Sequence, residues 1–227
     1  MSERVVLLAH GGGGRLMAEL IAEVFLPHLG SPELERADDS ALLHAPGSRL
    51  AFTTDAFVVD PVEFPGGNIG RLAVCGTVND LAAGGALPVC LSAAFVLEEG
   101  LPFDVLERIV EGMAAAAREA EVRVVAADTK VVPRGKADRV FITTAGIGVV
   151  PEGINVSGHL ARPGDVVLCS GTLGDHGMAV LAARENLGFS GPIESDVAPL
   201  GGLAAALHPF GAALRVLRDP TRGGAAA

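Results

Sequence analysis

Residues 64–86 read FPGGNIGRLAVCGTVNDLAAGGA, and the rest of the chain is organised around them. Pro65-Gly66-Gly67 predicts a turn, and the apolar residues that follow recur at helical spacing. Asn79-Asp80 then stands among small residues. A carboxylate buried there loses its hydration unless it finds a cation or donors. Small neighbours admit a second backbone or a ligand. Asp80 therefore reads in two ways, as a group handling metal or phosphate, or as a capping aspartate on an ordinary amphipathic helix.

Outward from that stretch, residues 87–97 form a long apolar run fit for a buried strand. Gly100-Leu101-Pro102 starts a helix with Leu106, Ile109, Val110 and Met113 on one face. Residues 122–127 predict a strand that ends into Asp128-Thr129-Lys130. Asp128 and Lys130 lie two apart and share a face, as an ion pair or as a phosphate site with its metal. Residues 139–150 read as the returning strand. Towards the N-terminus, residues 5–9 predict a short strand leading into His10 and four glycines, Gly11 to Gly14. Bare N–H groups before a helix starting near Arg15 suit a phosphate, although the spacing is neither a dinucleotide fingerprint nor a Walker loop. That helix is expected to end before Pro27. Asp38-Asp39 is read as a turn or a metal site. Residues 50–54 predict a strand ending at Asp55, where α/β proteins tend to place ligands.

Pro151-Glu152-Gly153 marks the expected change of domain, dividing the chain into 1–152 and 153–227. Beyond it, residues 166–171 and 214–217 predict strands. Gly174-Asp175-His176-Gly177 opens a helix, and residues 200–207 form another. His176 is a candidate general base or a capping and packing residue.

The composition bounds the possible partners. Lys plus Arg number 17 against 27 for Asp plus Glu, a net charge of −10 that offers no basic footprint for nucleic acid or an anionic membrane. Apolar residues make up 49% and charged residues 19%, as in a folded chain. Cys75, Cys90 and Cys169 are widely spaced and form no C-x-x-C pair. They predict small thiols in core segments in a reducing compartment. The N-terminal apolar run is too short for a signal peptide, and no run approaches the ~18 apolar residues of a membrane span, so the expected location is the cytoplasm.

Taken together, HGGGG at 10–14, DDSALL at 38–43, FTTDAFVVDP at 52–61, FPGGNIG through NDLAAGGALP at 64–88, LEEGLP at 97–102, ADTKVV at 127–132, SGTLGDHG at 170–177 and RDPTRGG at 218–224 form a series covering essentially the whole chain. The series resembles the HypE family of hydrogenase maturation factors, within the aminoimidazole-ribonucleotide synthetase (PurM-like) superfamily. The resemblance implies an α/β (α+β) architecture: a PurM-like N-terminal domain with a mixed sheet that dimerises, then a partial C-terminal α/β domain. It implies ATP and Mg²⁺ as ligands, with Asp38, Asp55, Asp80 and Asp128 on the metal. Asp80 and Lys130 would act in catalysis. Gly11, Gly12, Gly13, Thr54, Asn79, Asp128, Thr129, Lys130, His176 and Arg222 would face the nucleotide, with Asp219 on the same side as His176 and Arg222.

The activity it implies is ATP-dependent dehydration of a carboxamide, carried on a C-terminal cysteine, to a thiocyanate that supplies the cyanide ligands of a nickel–iron centre. The implied partners are a second copy, the carbamoyltransferase HypF and the HypC–HypD complex. The family's terminal cysteine has no counterpart here, since the sequence closes on three alanines. The chain is therefore expected to be a C-terminal truncation that does not complete the reaction by itself. The alternative is a non-catalytic fragment that dimerises and binds nucleotide or HypF.

Overall fold

The computed structural model describes residues 4–11, 15–31, 35, 49–185, 187, 191 and 193–220. Its centre is the helix predicted from residues 64–86. A short hairpin, β2 (Glu63–Phe64) and β3 (Gly67–Asn68), turns through Gly66 at φ 90°, where a Cβ would strike the backbone of Ser195. Asn68 then caps α3 (Ile69–Ala83), its side-chain oxygen accepting from the Arg71 N–H at 2.9 Å.

Helix α3 packs on a four-stranded sheet of order β1-β6-β4-β5, made of β1 (Leu50–Phe57), β4 (Leu87–Glu98), β5 (Arg123–Val132) and β6 (Val140–Val149). Strands β4 and β5 run parallel because α4 (Phe103–Glu119) carries the chain back between them, and the other pairs are antiparallel. The fold is α/β with a mixed sheet, as expected. On α4 the residues Leu106, Ile109, Val110 and Met113 are each 0% exposed, the stripe their spacing predicts. They join Leu91, Phe95 and Ile142 of the sheet in one core. Among the described residues, helices cover one face only. On the other, Phe52 is 69% exposed.

Several boundaries differ from expectation. Residues 5–9 form no strand: Val5 makes an isolated bridge to Pro102, and Leu8–Gly11 is a 3₁₀ turn. The His10 ring takes the Leu7 N–H at 2.8 Å, which curls the segment out of the extended conformation. The first helix does not stop before Pro27. After α1 (Arg15–Leu20) and a π-helical turn, α2 (Leu26–Leu29) holds Pro27 in its opening turn, where no N–H is needed. Strand β1 runs two residues past Asp55 and buries Phe57, and β5 runs on through Asp128, Thr129 and Lys130.

Helices α5 (Asp175–Glu185) and α6 (Gly201–Leu207) form where predicted. Residues 166–171 and 214–217 do not form strands, because no described segment builds a strand ladder with them. Val166, Val167 and Leu168 are 82%, 92% and 83% exposed. Cys169 is likewise exposed rather than in the core, whereas Cys75 and Cys90 are buried.

Candidate functional site

Two acids meet where β1 faces α3. Asp55 lies on the helix side of β1, its Oδ1 accepting from the Ala56 N–H at 2.7 Å. Gly76 on α3 leaves it room: a Cβ there would sit 3.8 Å from Asp55 Oδ2 and would clash with the Phe57 ring. One turn further along α3 comes Asp80, whose Oδ2 accepts from the Thr53 hydroxyl at 3.1 Å. Burial raises the Asp80 pKa above the usual carboxylate value and Asp55 adds to this, while the Thr53 bond and Arg218 oppose it. Beneath the pair, the Thr77 and Thr144 hydroxyls touch in a fully buried contact, and Thr77 also donates to the Ala73 carbonyl at 2.9 Å. This keys the rotation of α3 to the sheet.

The second half of the chain brings more charge to the same place. Asp219 is raised by burial first, then by Asp80 and Asp196, with Arg218 opposing. Asp196 lies on a strap, residues 195–200, and accepts from the His176 N–H at 3.0 Å at the start of α5. The His176 ring sits edge-on to Phe64 and its Nδ1 lies 3.0 Å from the Ser195 hydroxyl, so it is packed and capped here. Its pKa is lowered by burial, with Asp196 opposing. Asn79 faces the strap: its Nδ2 donates to the Ala198 carbonyl at 3.0 Å and its Oδ1 accepts from the Leu200 N–H at 2.7 Å.

Asp128 and Lys130 are elsewhere. Asp55 is level with Thr144, Ala93 and Ala127 across the sheet. Asp128, one residue on from Ala127, therefore points to the opposite, helix-free face. It is also on the far edge, three strand spacings or ~14 Å from β1. There it pairs with the exposed Lys130 ammonium at 3.3 Å. Thr129 points back to the helix side and is buried. The Thr54 hydroxyl is spent on the Thr144 carbonyl at 2.9 Å. Gly11 ends the 3₁₀ turn beside β5. Gly12, Gly13, Asp38 and Arg222 lie outside the described residues.

Among the described residues no three Asp, Glu, His or Cys side chains converge as a metal-holding group. The donor chemistry at Asp55 and Asp80 still fits a hard cation such as Mg²⁺: two carboxylates beside a threonine hydroxyl, with neighbouring acids whose repulsion a cation would relieve. Sequence reasoning missed Thr53 and Asp196. Thr53 could have been found from the strand period of two, which puts it on the same face as Asp55; nothing local marks Asp196.

The chain matches the family model described as AIR synthase related protein, N-terminal domain, over residues 37–150. It is 53% identical to the carbamoyl dehydratase HypE of Rhizobium leguminosarum bv. viciae over 221 residues, covering 97% of this chain and 63% of that protein. The fold superposes on a crystal structure of the hydrogenase maturation protein HypE in complex with ATP with a TM-score of 0.92, at 50% identity, covering 96% of this chain and 65% of that one. A crystal structure of a HypE–HypF complex matches with a TM-score of 0.77 at 56% identity, over 91% of this chain and 67% of that one. The chain thus spans just under two thirds of the length of the curated HypE relative. By its matched domain and these identities the chain belongs to the family of AIR synthase related proteins, and within that family it is HypE that it resembles.

Proposed function

We propose that this chain is the ATP-binding part of a HypE-type carbamoyl dehydratase, which removes the oxygen of a cysteine-borne carboxamide as phosphate and leaves a thiocyanate for hydrogenase maturation. The observation that carries the reading is Asp80 beside Asp55, open to solvent, held by the Thr53 hydroxyl and close enough to Asp219 to raise its pKa. ATP converts a poor leaving oxygen into a good one, and the protein's task is to place the phosphates and offset the charge that develops on them. Asp55 and Asp80 would hold a Mg²⁺, with Asp38 and Asp128 completing the set; the ion would neutralise phosphate charge. Lys130 would leave Asp128 for a phosphate oxygen. Gly11, Gly12 and Gly13 would close over the nucleotide, Thr54 and Thr129 would support it from the sheet, and His176 and Arg222 would border it from the second half.

The opposite-face placement of Asp128 and Lys130 adds a homodimer to the proposal. A second copy laid on the helix-free sheet face would bring its β5 edge to the β1 edge of the first, joining one protomer's Asp55 and Asp80 to the partner copy's acid and lysine. The boundary near residue 152 would separate this dimerising domain from a partial second one. HypF, as in the HypE–HypF crystal structure, and the HypC–HypD complex are the proposed partners, in the cytoplasm. Among the described residues no helix is long and apolar enough to cross a membrane. The identities to HypE favour this enzyme over a non-catalytic fragment.

The test is calorimetric titration of ATP with and without Mg²⁺, alongside the mass in solution. The expected result is Mg²⁺-dependent binding by a species of twice 23.0 kDa. A folded chain that binds no ATP under either condition refutes the assignment.

A further inference from the structure

The strap at residues 195–200 is not itself a strand, and several of its backbone groups find partners on the body of the fold. The Ser195 N–H donates to the Pro65 carbonyl at 2.8 Å and the Val197 N–H to the Ser195 hydroxyl at 3.2 Å. The Val197 carbonyl accepts from Arg71 Nε at 3.2 Å, and the next carbonyl and the Leu200 N–H are both taken by Asn79. Pro199 has no N–H to satisfy. Helix α3 thus supplies, from two side chains, three hydrogen bonds of the kind a neighbouring strand would otherwise give. Only one orientation of the Asn79 carboxamide serves a carbonyl and an N–H together, and no carboxylate can do both.

We propose that Asn79 is a positioning residue whose carboxamide seats the strap on α3, holding Asp196 and, through its bond to the His176 N–H, the start of α5 over Asp80 and Asp219. Its two polar atoms are spent on the strap, so Asn79 itself does not reach the nucleotide. The inference deepens the proposed function and rests on it, in that the cleft so shaped is taken to hold ATP. Asn79 and Asp80 then divide the work: one residue closes the cleft, the next lines it.

The test combines residue-resolved hydrogen exchange with Mg²⁺–ATP titration on the whole chain. Asn79→Ala favours the helix and so is expected to fold. It should speed exchange at Leu200 about five- to tenfold, one hydrogen bond's worth, with α3 amides unchanged. Its ATP affinity should fall about tenfold, as expected when a bound geometry must be reassembled. Asn79→Asp keeps the acceptor for Leu200 and should restore its protection, a rescue that mere loss of packing would not produce. Unchanged exchange at Leu200 in Asn79→Ala overturns the proposal, as does a loosened strap with undiminished ATP affinity. If the unaltered chain binds no ATP while Asn79→Ala still loosens the strap, the clamp stands and the reading of the cleft fails.

Discussion

His176 is half-buried between Phe64, the Ser195 hydroxyl and Asp196, and burial outweighs the acid in setting its pKa, which lies below the ordinary histidine value. The unfolded chain therefore binds this proton more readily than the folded one. Its contribution to stability is complete above the unfolded pKa of 6.5 and is lost as pH falls through the folded value. Asp80 and Asp219 are raised and act in the opposite sense, their contribution growing as pH falls into the more acidic carboxylate range. On going from pH 7.5 to 5.5, the unaltered chain should lose about 1–2 °C more in thermal midpoint than His176→Gln, since the ring is partly solvated and the effect is a fraction of a kcal/mol. Parallel curves for the two proteins would remove His176 from the linkage. Residues of this kind were unevenly legible. Asp55 and Asp80 stood out because isolated acids among small or apolar residues are chemically conspicuous. Thr53 was passed over for its neighbour Thr54, since a one-residue choice of face decides which hydroxyl meets Asp80.

Helices α3 and α4 approach closely at two glycines, one from each helix. A Cβ on Gly70 would run into the Ile109 carbonyl, and one on Gly112 into the Asn68 carboxamide that caps α3. Ordinarily Gly→Ala inside a helix stabilises by up to ~1 kcal/mol. Gly70→Ala should instead destabilise by about 1–3 kcal/mol, the usual cost of overpacking, as read by urea unfolding. Gly177 in α5 has open space around it, so Gly177→Ala is the control and should be neutral or slightly stabilising. Equal gains from both would mean that α3 and α4 can part freely. Elements with their own periodicity, such as β4 and α4, were readable from the chain because the period reports burial directly. Residues 166–171 and 214–217 were misread for the complementary reason: strand preference describes fit to a pleated surface, and no described segment supplies that surface. The ends of β1 and β5 lie beyond the sequence expectation because pairing continues past the polar residues that predict a stop.

Across the whole molecule, the candidate residues that the motifs group together and the structure describes divide into two sets on opposite faces of one sheet. Asp55 and Asp80 sit with the helices, and Asp128 and Lys130 sit on the uncovered face at the other edge. If one chain built the whole site, these sets would have to cross the sheet. If two copies build it, each site takes Asp80 from one protomer and Lys130 from the other. The arrangements are separable by mixing variants. A chain with Asp80→Asn and a chain with Lys130→Ala each have two defective sites per dimer and should bind ATP weakly alone. After subunit exchange in equal amounts, half the dimers are mixed, and each mixed dimer holds one site with both residues intact. About a quarter of all sites should then recover full affinity under two-fold symmetry. Adding Phe52→Glu to both variants places a charge on the exposed sheet face and should abolish the recovery together with the dimer mass. Should the mixture bind no better than either variant while remaining dimeric, Asp80 and Lys130 do not meet across the interface, and the lysine's place at the phosphates must be given up.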